Sequence, residues 1–94
     1  MGETAEIRRK RLHFRSWHRG TRELDLVLGG FADRYLAGLT PEQLDRYESL
    51  IANPDPDIYQ WVSGGRPVPA AYDNDVMELI KNFKTKDHKP EITK

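Results

Sequence analysis

Cysteine is absent from the 94-residue chain. That excludes a disulfide framework, a thiolate zinc site and a cysteine nucleophile, and it fits a reducing compartment. No window approaches the ~18 consecutive apolar residues of a membrane span. Residues 1–6 are few and acidic, unlike a secretory or transit segment. The expectation is a cytoplasmic protein without membrane insertion. Sustained two-residue alternation is also missing, so strands are not supported. Apolar residues make up 37% of the chain, enough for one small domain with a thin core and no large substrate cleft.

What is present reads as helices joined by short turns. Residues 1–6 and 85–94 are polar and aperiodic, and are expected to fray around a single domain at 7–84. A first helix is predicted from Ile7 to Trp17, with Ile7, Phe14 and Trp17 on one face. Gly20 is expected to end or bend it by adopting a positive φ. From Arg22, the spacing of Leu24, Val27, Leu28, Phe31, Ala32 and Tyr35 predicts the central core helix. Gly29 and Gly30 lie inside it, which implies a kink or a closely packed neighbouring backbone. Thr40-Pro41-Glu42-Gln43 carries an N-cap, a proline at the first helical position and a capping box. The helix that follows turns Leu44, Tyr47, Leu50 and Ile51 inward and runs to about Asn53. Asp55 is expected to cap a short helix with Ile58, Trp61 and Val62 on one side. A last helix starts at Asp73 or its neighbour and buries Val76, Leu79, Ile80 and Phe83. The fold class is all-α, a compact bundle of about five short helices.

Enzymatic constellations are poorly represented. His13 and His18 are five residues apart, about 140° around a helix, and so make no ligand pair, while His88 falls in the polar tail. Ser16, Ser49 and Ser63 lie in no nucleophile elbow. Neither double glycine continues into a phosphate loop or a dinucleotide fingerprint. Glu23 and Asp25 point to different faces, so paired acid–base work between them is improbable; both suit the first turn of a helix. A flavin-binding enzyme would need a pocket that so small a core can scarcely supply.

Charge is balanced overall, 15 Lys+Arg against 15 Asp+Glu, but not locally. Residues 7–22 hold Arg8, Arg9, Lys10, Arg11, Arg15, Arg19 and Arg22 with no acid, whereas residues 23–57 are predominantly acidic. A nucleic-acid arm with Phe14 and Trp17 as stacking rings is the alternative reading of the basic block, although no known DNA or RNA module is present. The segment from Trp17 to Asp25 is more telling, because charged groups flank a glycine at a helix junction. Arg19 offers a planar five-donor fork, Gly20 lets a foreign surface approach the backbone, and Glu23 can accept from a partner or hold Arg19 in place. An ordinary helix-turn-helix salt bridge is the plain counterpart of that docking corner.

Arg19-Gly20-Thr21-Arg22-Glu23 resembles the Arg-Gly-x-x-Glu signature of the succinate dehydrogenase flavinylation factors of the SdhE type. Arg11-Leu12-His13-Phe14 resembles the lead-in of that family, and Leu28-Gly29-Gly30-Phe31-Ala32, Leu39-Thr40 and the segment from Asp55 to Trp61 fall where it has matching elements. The resemblance covers about Arg8 to Phe83. It implies a monomeric helper that binds the flavoprotein subunit of succinate dehydrogenase and promotes covalent attachment of FAD to a client histidine. Related fumarate reductase flavoproteins can also be clients. On that resemblance the protein is not an enzyme and has no cofactor of its own, FAD being attached to the client, and nucleic acid is not a partner. Arg19, Gly20 and Glu23 are implied to lie against the client, with Arg11, Arg15, Trp17, Arg22 and Asp25 around them. Trp17-His18 and the double glycine depart from the common pattern of the family.

Overall fold

The computed structural model describes residues 3–84, and the tail expected at 85–94 lies outside them. Among the described residues there are five α-helices and no strand: α1 Ala5–Trp17, α2 Arg22–Tyr35, α3 Pro41–Ile51, α4 Asp55–Ser63 and α5 Asp75–Asn82. Short 3-10 turns lie at Leu36–Gly38 and Ala70–Tyr72. No described helix is long and apolar enough to cross a membrane.

Helix α1 begins two residues before the predicted Ile7, because the Thr4 hydroxyl accepts from the Ile7 amide at 3.1 Å and caps it. Ala5 and Glu6 therefore belong to the helix. The helix stops at Trp17 with His18 as its C-cap, so Gly20 does not terminate it. Its buried face is also not the one the periodicity suggested. Leu12 and Ser16 are fully buried, while Ile7 and Phe14 are 54% and 60% exposed. With a single aliphatic residue facing inward, polar contacts choose the face. The Ser16 hydroxyl donates to the Leu12 carbonyl at 2.7 Å, which leaves the buried Tyr47 hydroxyl to donate to Ser16 Oγ at 2.5 Å. Burial pushes the Tyr47 phenol well above its ordinary range.

Helix α2 is the centre of the molecule and starts at Arg22 as the spacing predicts, with Thr21 Oγ1 accepting from the Leu24 amide. Leu24, Val27, Leu28 and Phe31 are fully buried. The helix runs unbroken through the two glycines, and the nearest atoms facing each belong to a side chain rather than to another backbone. A side chain at Gly29 would collide with the Trp17 indole, and one at Gly30 would come within 2.9 Å of the Phe83 ring. Each glycine is thus the seat of an aromatic ring. Phe31 gathers Tyr35, Tyr47 and Phe83 around it at centroid distances of 5.1, 5.4 and 6.3 Å.

The capping box of α3 forms as predicted, Thr40 Oγ1 accepting from the Gln43 amide at 3.1 Å and Gln43 Oε1 from the Thr40 amide at 3.0 Å. Helix α5 is capped by Asn74, next to the expected Asp73. In α4, however, Pro54 takes the N-cap position, and the Asp55 carboxylate is released for a different task. The predicted core is otherwise in place, with Tyr35 and Leu79 half-buried and with Leu12, Leu36, Leu39 and Met77 added to it.

Helices α1 and α3 are joined by ion pairs along their outer edge. Arg8 reaches Asp45 and Glu48 at 2.7 and 2.9 Å, and Arg11 reaches Glu3 and Glu48 at 2.5 and 3.0 Å. Hydrogen bonds from Arg11, and then from Arg8, hold the Glu48 carboxyl below its ordinary value of 4.5. A carboxylate whose pKa is lower in the folded chain adds stability above the unfolded value and loses it as pH falls through the folded one. Thermal stability should therefore fall below about pH 4.5, and Glu48→Gln should flatten that acid limb. A Glu48→Gln melting profile parallel to the wild type between pH 5 and 3 would refute the assignment.

Candidate functional site: a clamped corner between α1, α2 and α4

Residues 18–21 join α1 to α2, and the backbone amides of Arg19 and Gly20 in this short loop both donate to carboxylates. The Arg19 amide donates to Asp25 Oδ1 at 2.6 Å, which ties the loop to the first turn of α2. The Gly20 amide donates to Asp55 Oδ2, which ties it to the start of α4. The Arg19 guanidinium turns inward. Nε and Nη2 donate to Asp55 Oδ1 at 3.0 and 2.7 Å, Nη2 also to the Ile51 carbonyl at 2.8 Å, and Nη1 to the Arg15 carbonyl at 3.3 Å. The Arg19 side chain is only 8% exposed and that of Asp55 19%.

The signature arginine is thus a strut inside the corner, and the residue holding it is Asp55 rather than Glu23. Gly20 is needed for closeness and not for an unusual backbone angle: among the described residues the only positive-φ glycine is Gly64. A Cβ at Gly20 would stand 2.8 Å from Asp55 Oδ2. Gly20 and Glu23 are both exposed, and among the described residues none pairs with the Glu23 carboxylate. The corner presents a bare backbone and an open carboxylate on a tightly held loop.

Two surface hollows share the Asp55 side chain. One of about 320 Å³ is lined by Thr21, Glu23, Asp55, Pro56, Tyr59 and Gln60. The other, about 280 Å³, is lined by Phe14, Arg15, His18, Arg19, Gly20 and Asp55. Phe14 and His18 stack there at 3.8 Å, with His18 Nδ1 bonded to the Phe14 carbonyl at 2.6 Å. A separate groove of about 490 Å³ lies along α1 and α2 and includes Arg9, His13 and Asp33. Asp33 accepts from the Trp17 indole at 3.1 Å and meets His13 Nε2 at 2.5 Å. Among the described residues, no group of three or more His, Asp or Glu is placed to hold a metal ion.

The remaining residues singled out from the sequence separate into two groups. Arg15 and Arg22 are exposed near the corner. Asp25 is held by the Arg19 amide and so belongs to the corner, whereas Arg11 is engaged with Glu3 and Glu48 and Trp17 is half-buried against Gly29, and neither lines the hollows beside the loop. The basic block is largely committed within the chain as well. Arg8, Arg11 and Arg19 are paired with acids, and Arg9 donates to the Leu36 and Leu39 carbonyls at 3.2 and 2.7 Å. Three of the seven basic groups on which the nucleic-acid reading rested are thus neutralised by acids within the chain. Asp55 is the residue the sequence reasoning missed. The one signal for it is Pro54, which can occupy the cap position and free the carboxylate that follows.

A family model described as flavinator of succinate dehydrogenase matches residues 10–84, which include the whole corner. The chain is similar to succinate dehydrogenase assembly factor 2, mitochondrial, of Danio rerio, with 40% identity over 84 residues, 87% of this chain and 53% of that protein. The protein of the same name from Debaryomyces hansenii is 39% identical over 84 residues, 85% of this chain and 59% of that protein. The chain thus spans between half and three-fifths of the length of these relatives. Their names place them in the mitochondrion, which overturns the cytoplasmic expectation. Its main ground, the lack of cysteine, fits any reducing compartment equally well. A matched stretch of this extent, which takes in the corner just described, makes the chain a member of the succinate dehydrogenase flavinator family.

Proposed function

We propose that the chain binds the flavoprotein subunit of succinate dehydrogenase through the corner at Arg19, Gly20 and Glu23 and promotes covalent attachment of FAD to a client histidine. The observation that carries this reading is the exposed Gly20–Glu23 surface on a loop clamped from α2 and α4, in a chain of the flavinator family. A rigid loop loses little freedom on docking, which favours a specific contact. The bond-forming chemistry belongs to the flavin and the client histidine. The helper contributes geometry, holding the client in the conformation that sets the histidine against the flavin. On this reading FAD is the client's, and the helper acts without a cofactor of its own.

Binding is tested directly by size-exclusion chromatography with light scattering on mixtures with the cofactor-free flavoprotein subunit. A one-to-one complex burying about 1,600 Å² in total is the expected result, and it should weaken with Glu23→Ala. Two proteins eluting separately at micromolar concentration would refute the reading. The fumarate reductase flavoprotein, run in parallel, defines the client range.

A further inference from the structure

Asp55 lies 36 residues from Arg19 in sequence, yet its two carboxylate oxygens divide the corner between them: Oδ1 takes the Arg19 guanidinium and Oδ2 the Gly20 amide. We infer that Asp55 is a positioning residue, a fourth member of the Arg19, Gly20 and Glu23 group, which holds the loop in the form that docks the client. The inference rests on the proposed client-binding reading, but the clamp itself is a property of the free chain.

Three observations support it. The carboxylate serves two donors at once, and removing it would leave the 8%-exposed Arg19 side chain without its charge partner. Its carboxylate stands where a Gly20 side chain would begin, since a Cβ would come within 2.8 Å of Oδ2 and the carboxylate would have to shift. It also lines both hollows that flank the loop, so its displacement would alter the whole corner.

Asp55→Asn is the discriminating variant. An amide has the shape of the carboxylate but only one acceptor oxygen, so it cannot satisfy both the guanidinium and the Gly20 amide. In the free protein, hydrogen exchange at the Gly20 amide should accelerate about tenfold or more by local opening of the loop, while Leu28 and other core amides lose protection only to the extent that loss of the ion pair lowers global stability. Client affinity should fall by about tenfold, and adding Arg19→Ala to Asp55→Ala should weaken binding little further, because both changes remove the same contact. Unchanged Gly20 exchange in Asp55→Asn would overturn the clamp, as would wild-type affinity. Gly20 exchange that accelerates only through global unfolding, in step with the core amides, would also overturn it, since Asp55 would then serve global stability alone. Faster Gly20 exchange in a chain whose wild type binds no flavoprotein would support the clamp and refute the client reading.

Discussion

Arg19→Ala is expected to destabilise the fold by about 3 kcal/mol, the lower end of what removing one partner of a buried ion pair costs. The side chain is 8% exposed and supplies donors to Asp55, to the Ile51 carbonyl at the end of α3 and to the Arg15 carbonyl near the end of α1. Truncation would leave a carboxylate without its counter-charge and a carbonyl without its donor, in a place where water re-enters only partly. For a chain of this size, that corresponds to a fall of about 12–24 °C in melting temperature. Weakened client binding would follow from a disordered corner rather than from a lost contact with the client. The sequence alone suggested that Arg19 and Glu23 act as one unit, whereas the geometry makes Arg19 and Asp55 the coupled pair. Thermal melting of Arg19→Ala, Glu23→Ala and the double variant separates the two views, since Glu23→Ala should cost little stability and add nothing unusual to the double. An Arg19→Ala chain as stable as the wild type would contradict the strut.

Gly20→Glu is expected to act on function more than on folding. The Gly20 backbone angle lies outside the left-handed region, so a side chain is not forbidden by φ. Its Cβ would nevertheless point at Asp55 Oδ2 from 2.8 Å, and the added carboxylate would compete with Asp55 for Arg19. Arg19 then keeps an acidic partner, so stability should fall less than in Arg19→Ala. The exposed backbone offered to the client is covered. Client affinity should drop about 100-fold, equivalent to about 2.7 kcal/mol. Isothermal titration against the flavoprotein subunit, with melting curves on the same samples, checks both halves. Normal affinity accompanied by a large loss of stability would place Gly20 in the fold and not in the interface.

Much of the fold was legible because its signals are local. Thr40 to Gln43 carries a complete helix start within four residues, and the Leu24 to Tyr35 spacing allows one buried face. Helix α1 was legible in extent and misread in orientation. Its inward face holds Leu12 and Ser16, and Ser16 is buried because Tyr47, 31 residues away, bonds to it. The same limit applies at the corner. Arg19, Gly20 and Glu23 stand out as a motif, but the clamp that gives Arg19 and Gly20 their form comes from Asp55, which no periodicity connects to them. Gly29 and Gly30 show the complementary case: the sequence signals close approach, and only the packing reveals that Trp17 and Phe83 rings are what approaches.

The most direct test is covalent flavin labelling. The cofactor-free succinate dehydrogenase flavoprotein subunit is incubated with FAD, with and without this protein, then denatured and separated, and flavin fluorescence is read on the client band over time. Faster and fuller labelling with the wild-type chain, lost with Gly20→Glu and reduced with Asp55→Asn, is the predicted result. Labelling at the same rate with and without the protein would contradict the account.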